Sequence, residues 1–161
     1  MNRMDIIAGL LQSDKPLLGI EIGCLYGDFA AGILSKLPNL RLISIDPMPQ
    51  YLMVYSKIIK PDSVIEERFN LIQATSDEAI RFLRRDYDFV FIDGDHSYEQ
   101  TRKDILNYWQ VVKKGGLLCG HNYDPPEFKE AMHPGVSQAV IEIFGEGKYN
   151  AGEDATWWKY V

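Results

Sequence analysis

Apolar residues recur along this chain in two alternating rhythms, short buried-looking runs and longer stretches with helical spacing, punctuated by glycine, proline and acids. Leu17 to Gly23 (LLGIEIG) is a short apolar run closed by glycine and predicts a strand. Asp28 to Leu37 follows with Phe29, Ala30, Ile33, Leu34 and Leu37 on one face, a helix that Pro38 stops. Leu40 to Asp46 (LRLISID) predicts a second strand, 51–59 a helix, and Phe69 to Gln73 a third strand. Thr75 with Glu78 forms a capping box that opens a helix to about Arg85. Tyr87 to Asp93 (YDFVFID) is the next buried strand. Ser97 with Gln100 makes a second capping box, and Tyr98, Thr101, Ile105, Tyr108 or Trp109 and Val112 supply the inward stripe of its helix. Lys113, Lys114 and Gly115 end that helix at its negative pole, and Leu117 to His121 is a fifth strand. Pro134 and Gly145 bracket a last helix, and 148–161 reads as two short strands in which Trp157 and Trp158 pack.

Strands alternating with helices predict an α/β fold, a doubly wound Rossmann-like sheet that is open, mostly parallel and covered by helices on both faces. Ligands then bind outside the carboxyl ends of the strands, where strand order reverses. A length of 161 residues corresponds to a single domain, with a first helix over 1–14 and the sheet-forming unit over 15–161. Lys plus Arg less Asp plus Glu is 17 − 23 = −6, and no basic cluster is present. That balance argues against nucleic acid and against an anionic membrane surface as partners. Apolar runs fall short of a membrane span, and the first residues (MNRMDIIAGLLQSD) lack the features of a leader, so a cytoplasmic location is expected. The expected strand order separates Cys24 from Cys119 by an intervening strand, about 9–10 Å, too far for a disulfide.

Chemistry concentrates at the predicted strand ends. EIGCLYG places Glu21, Gly23 and Gly27 in the turn before a helix, where glycine permits close approach of a nucleotide-like ligand. The spacing lacks the G-x-G-x-x-G of pyrophosphate binders, and Asp28 occupies the positive helix end that a pyrophosphate would need. Asp46 closes the second strand, placed to accept ribose hydroxyls or to form the turn before Pro47. Glu21 and Asp46, with no Lys or Arg in the glycine turn, describe a pocket for an adenosine carrying positive charge and no phosphate. S-adenosylmethionine fits that description. The fourth strand ends FIDGDHSYEQ and the fifth LLCGHNY, so Asp93, Asp95 and His96 face His121 and Asn122 across one crevice. His133, before Pro134, reads as a surface residue.

EIGCLYG, SID at the second strand end, FIDGDHSYEQ with Asp104 further on, KKGGLLCGHNY and the closing TWWKYV together resemble a class I S-adenosylmethionine-dependent methyltransferase, close to methyltransferase family 24. The resemblance runs from about Leu17 to Val161 and is most specific in DGDHSYE followed by GGLLCGHNY; Leu25 stands where the commoner glycine pattern has its middle glycine. It implies a seven-stranded sheet in order 3-2-1-4-5-7-6 with the seventh strand antiparallel. It implies that Glu21, Gly23, Tyr26 and Gly27 border the methionine part of the cofactor, that Asp46 meets the ribose, that Thr75, Ser76 and Asp77 meet the adenine, and that Asp93 stands at the reacting end. Related O-methyltransferases hold a divalent ion such as Mg²⁺ at the fourth and fifth strand ends. Here Asp93, His121 and Asn122 would supply that set, with the imidazole shifting preference toward softer ions.

The resulting expectation is O-methylation of a small hydroxylated acceptor, with Asp93 among the catalytic residues and His121 or His96 as base, or a metal at Asp93 and Asn122 acidifying the hydroxyl. The 122–133 loop is the only long one near the site, so the acceptor pocket is shallow or completed by a second subunit, and a homodimer is expected. Three rival readings stand beside it. They are a non-catalytic S-adenosylmethionine-binding module, an NAD-linked oxidoreductase disfavoured by the glycine spacing, and a metal-dependent phosphohydrolase lacking an upstream His-x-His.

Overall fold

The structure is a computed structural model that describes residues 1–58, 66–125, 132–152 and 154–161. In chain order the elements are α1 (Arg3–Leu10), β1 (Leu17–Ile22), α2 (Asp28–Lys36), β2 (Leu40–Ile45), α3 (Tyr51–Ile58), β3 (Phe69–Ile72), α4 (Ser76–Ala79), β4 (Tyr87–Ile92), α5 (Tyr98–Trp109), β5 (Val112–Gly120), α6 (Pro134–Phe144), β6 (Asn150–Ala151) and β7 (Trp157–Tyr160). The seven strands form one sheet in the order β3-β2-β1-β4-β5-β7-β6. All neighbours are parallel except β7, which runs antiparallel to β5 and β6.

Alternation along the strands builds two cores, one on each face. Phe89, Phe91, Leu117 and Cys119 point toward α1, α2 and α3, where Phe29 stacks on Phe91 at 3.9 Å. Val90, Ile92 and Leu118 point the other way, onto α5 and α6 and the fully buried Trp157. Every residue of β4 is buried, as a strand covered on both faces must be. Cys24 and Cys119 are both buried and free. No helix of the described residues is long and apolar enough to cross a membrane.

The register matters most for the site. Ile22 stands opposite both Ile45 and Ile92, and Ile92 stands opposite Gly120. Four parallel strands therefore finish level, and the residues that follow them, Gly23, Asp46, Asp93 and His121, leave the sheet side by side.

Three local expectations are corrected. Lys113 to Gly115 do not end a helix: α5 stops at Trp109, and β5 already begins at Val112, with a register shift opposite 87–89 and Gly115 at φ 77°. Val112 thus pairs in the sheet, because adjacent apolar residues fit a helical stripe and a strand equally well. The helix opened by Thr75 spans only Ser76–Ala79, since the next amides, Arg81 and Phe82, bond three residues back and the chain turns out through Asp86 at φ 78°. Ser97 caps α5 through the Gln100 amide, but the Gln100 side chain does not return the bond; it reaches Ser76 and Asp104 instead. Ile59, the last residue of the predicted 51–59 helix, lies outside the described residues, as does most of the 122–133 loop.

Candidate functional site

At the carboxyl ends of β1, β2 and β4 opens a cleft of about 480 Å³. Its walls carry Asp46, Asp77, Asp93, Asp95 and Asp104, five carboxylates, with no lysine or arginine among the described residues that line it. A groove of about 440 Å³ between α5 and α6 is a surface feature spanned by the exposed Arg102–Glu142 ion pair, away from the strand ends.

Gly23 follows β1 at φ 89°, and a Cβ there would lie 2.2 Å from the Asp93 carbonyl oxygen. Glycine is demanded by the approach of the β4 end, and the cleft floor is the result. Leu25 takes φ 41° without being glycine, held because the Asp46 carboxylate accepts its amide at 2.7 Å and that of Cys24 at 3.0 Å. The other Asp46 oxygen accepts the Met48 amide at 2.7 Å, so this one side chain both forms the turn before Pro47 and its successor and braces the glycine turn while facing the cleft. Gly27, at φ 77°, serves as the N-cap of α2, and Tyr26 is half exposed beside Lys57; neither lines the cleft. Asp28 is paired with Lys57 at 2.5 Å.

Glu21 lies fully buried on β1 behind the cleft floor. One oxygen accepts the Ser44 hydroxyl, and the other has no partner among the described residues. Burial pushes its carboxyl from 4.5 up to about 8, opposed by the Ser44 bond and reinforced by the charge of Asp93. A buried, half-satisfied carboxyl is the arrangement that a nearby ammonium would complete.

On the opposite wall, Thr75 caps α4 and Ser76 donates to Asp104 at 2.6 Å, while Gln100 donates to both at 3.1 and 3.0 Å. Burial raises Asp104 from 3.8 to about 6, offset by the Ser76 and Gln100 bonds. Asp95 accepts the Ser97 amide at 2.8 Å, which holds its carboxyl below the usual range.

A polar cluster gathers around Asp93. His96 Nε2 lies 3.4 Å from Asp93 Oδ1, and His121 Nδ1 lies 3.8 Å from the same oxygen. Asn122, in the left-handed region at φ 60°, turns its amide to His96 at 2.9 Å. His96 lines the cleft; His121 and Asn122 do not. Three residues join that the sequence had not placed there. Arg3 from α1 puts Nη2 4.0 Å from Asp93 and Nη1 3.5 Å from His121. Asp154 approaches His121 at 4.0 Å and accepts the Arg3 backbone amide. His133, expected at the surface, packs edge-on to His96 with ring centroids 4.3 Å apart. No local pattern marks these three, because their partners are distant in the chain.

Of the divalent-ion set that the sequence implied, Asp93 and His121 approach each other at 3.8 Å, and Asn122 turns its amide to His96. No group of three or more His, Cys, Asp or Glu among the described residues is arranged to hold a metal. The amide of Asn122 faces His96, and the permanent charge of Arg3 beside Asp93 and His121 opposes a second cation.

A seven-stranded sheet with this order, an antiparallel seventh strand and an acidic cleft at the β1 and β4 ends defines the class I methyltransferase architecture. The chain belongs to the family described as a methyltransferase domain, methyltransferase family 24, whose model matches residues 20–123. It is 28% identical over 159 residues to an uncharacterized protein of Acanthamoeba polyphaga mimivirus, covering 91% of this chain and 69% of that one. Among solved structures it resembles the O-methyltransferase from Bacillus cereus in complex with SAH, at TM-score 0.73 and 14% identity, covering 99% of this chain and 80% of that chain. It also resembles the O-methyltransferase TomG of Streptomyces achromogenes, involved in tomaymycin synthesis and solved with SAM, at TM-score 0.71 and 14% identity, covering 99% of this chain and 79% of that one.

Proposed function

We propose that this chain transfers a methyl group from S-adenosylmethionine to a hydroxyl of a small metabolite. The observation that carries the reading is the cleft whose walls hold five carboxylates and, among the described residues, no lysine or arginine. Such a wall favours a cationic ligand and repels the pyrophosphate of NAD. Glu21 behind the floor is placed for the ligand's ammonium, Gly23 for close approach of its methionine part, Asp46 for the ribose, and Ser76 with Thr75 and Asp77 for the adenine. The cofactor supplies an electrophilic methyl when bound. The chain's part is to align the acceptor and take its proton. His96 is the base within this reading, because it faces the cleft and its ring is held by the Asn122 amide at 2.9 Å with Asp93 beside it at 3.4 Å. His121, which does not line the cleft but lies 3.8 Å from Asp93, acts one step back.

Thermal unfolding with S-adenosylmethionine, S-adenosylhomocysteine and NAD in parallel tests the cofactor. At about a hundredfold over Kd, binding adds about 2.7 kcal/mol, which moves the midpoint by roughly 5 °C or more for a chain of this size. A shift with NAD and none with either sulfur ligand sinks the reading. A binding module without catalysis would give the shift yet form no S-adenosylhomocysteine with any acceptor. For the base, His96→Ala is expected to lower turnover by roughly 10²–10⁴ and His121→Ala by less; the reverse order would exchange their roles.

A further inference from the structure

Arg3 is a cation held at the reacting end with most of its hydrogen-bonding capacity unused. Its guanidinium offers five N–H donors in a planar fork. Among the described residues Nη1 and Nη2 make only the long approaches to His121 and Asp93, at 3.5 and 4.0 Å, and Nε is buried without a partner. A buried donor left in this state calls for an explanation.

The side chain is also delivered by a rigid mount. Arg3 is the first residue of α1, which Asn2 and Asp5 close with a reciprocal capping box. Asp5 pairs with Lys36 of α2 at 2.6 Å, and Met4 packs so tightly on Gly32 that a methyl group there would meet its sulfur at 2.0 Å. Asp154 takes the Arg3 backbone amide.

We infer that Arg3 is the specificity-determining residue for the acceptor, and that the acceptor carries an anionic oxygen, a carboxylate, next to the hydroxyl that is methylated. This rests on the methyltransferase reading above. The cofactor cleft is acidic and would reject such an anion; Arg3 does not line it but reaches Asp93, which does, and offers the fork that a carboxylate matches in two bonds. The anion is thereby steered to Arg3, with its neighbouring hydroxyl toward the cleft.

The test saturates the protein with S-adenosylhomocysteine and titrates matched acids and amides, salicylate against salicylamide and lactate against lactamide. Arg3→Gln and Arg3→Lys are run beside the unaltered chain, and the thermal shift given by S-adenosylhomocysteine alone reports fold and cofactor cleft in each. At least one acid is expected to bind about tenfold tighter than its amide. Arg3→Gln is expected to erase that preference and Arg3→Lys to reduce it several-fold, both with the S-adenosylhomocysteine shift intact. The inference is overturned if the cofactor product stabilises the protein but no acid outbinds its amide, or if the preference survives in Arg3→Gln. If Arg3→Gln does not fold, an undiminished preference in Arg3→Lys overturns it equally. Absence of any S-adenosylhomocysteine shift in the unaltered chain instead brings down the cofactor reading, and the inference with it.

Discussion

Glu21 occupies the position where a carboxylate is hardest to ionise, inside the sheet with one oxygen unmet among the described residues. Its carboxyl is raised from 4.5 to about 8, so the folded chain keeps a proton that the unfolded chain has released. The stabilisation from that proton is full below about pH 4.5 and is lost as pH rises through about 8. At about 1.4 kcal/mol per unit of pKa difference, the loss is a few kcal/mol. Urea unfolding of Glu21→Gln is expected to lose most of this downward slope with pH. Asp104, raised to about 6, leaves a residual slope of the same sign at lower pH. Curves that run parallel for the two proteins would refute the assignment. A cation bound beside Glu21 favours its charged form, so cofactor binding is expected to release a proton and tighten from pH 6 to 8, which calorimetry in buffers of differing ionisation enthalpy would measure. Asp93, Asp46 and Glu21 were legible as site candidates because strand-end acids are marked by local pattern. Arg3 and Asp154 were not, since only the docking of α1 and the path of the last residues bring them to His121.

The strand ends depend on close packing that a single methyl would disturb. Gly23→Ala would set a Cβ 2.2 Å from the Asp93 carbonyl oxygen in a left-handed backbone. Overpacking of about 1–3 kcal/mol plus roughly 1 kcal/mol for the backbone is the expected loss, read as a lower urea midpoint and a weakened cofactor shift. Unchanged values would mean that β1 and β4 separate without cost. Leu25 is the converse case: Leu25→Gly removes the penalty of φ 41° and is expected to leave stability within about 1 kcal/mol. Helix starts were readable where both partners of a cap lie within one turn, as in Thr75 and Glu78. They were half readable at Ser97, where Gln100 finds better partners in Ser76 and Asp104. The end of α5 was misread because Val111 and Val112 satisfy either period, and pairing with Tyr87 settles it.

For the whole molecule, a net charge of −6 with five carboxylates in one cleft sets up a field that draws cations toward the strand ends. S-adenosylmethionine affinity is accordingly expected to fall as ionic strength rises, and a salt-independent Kd would show that the field contributes nothing. The homodimer expected from the sequence remains our proposal; light scattering at working concentration would refute it by returning a monomer mass. The linear order of apolar and polar residues was enough to specify the parallel sheet, its helices and the acids at its strand ends, because strand and helix periods and turn chemistry are local properties. It also carried the strand order through a family resemblance. What lay beyond it was the company those acids keep. The level register of four strands, the burial that protonates Glu21, the turn of Asn122 toward His96 and the arrival of Arg3 beside Asp93 all follow from contacts between segments far apart in the chain. Long-range packing sets local dielectric and charge pairing, and these decide how the same residues ionise and pair.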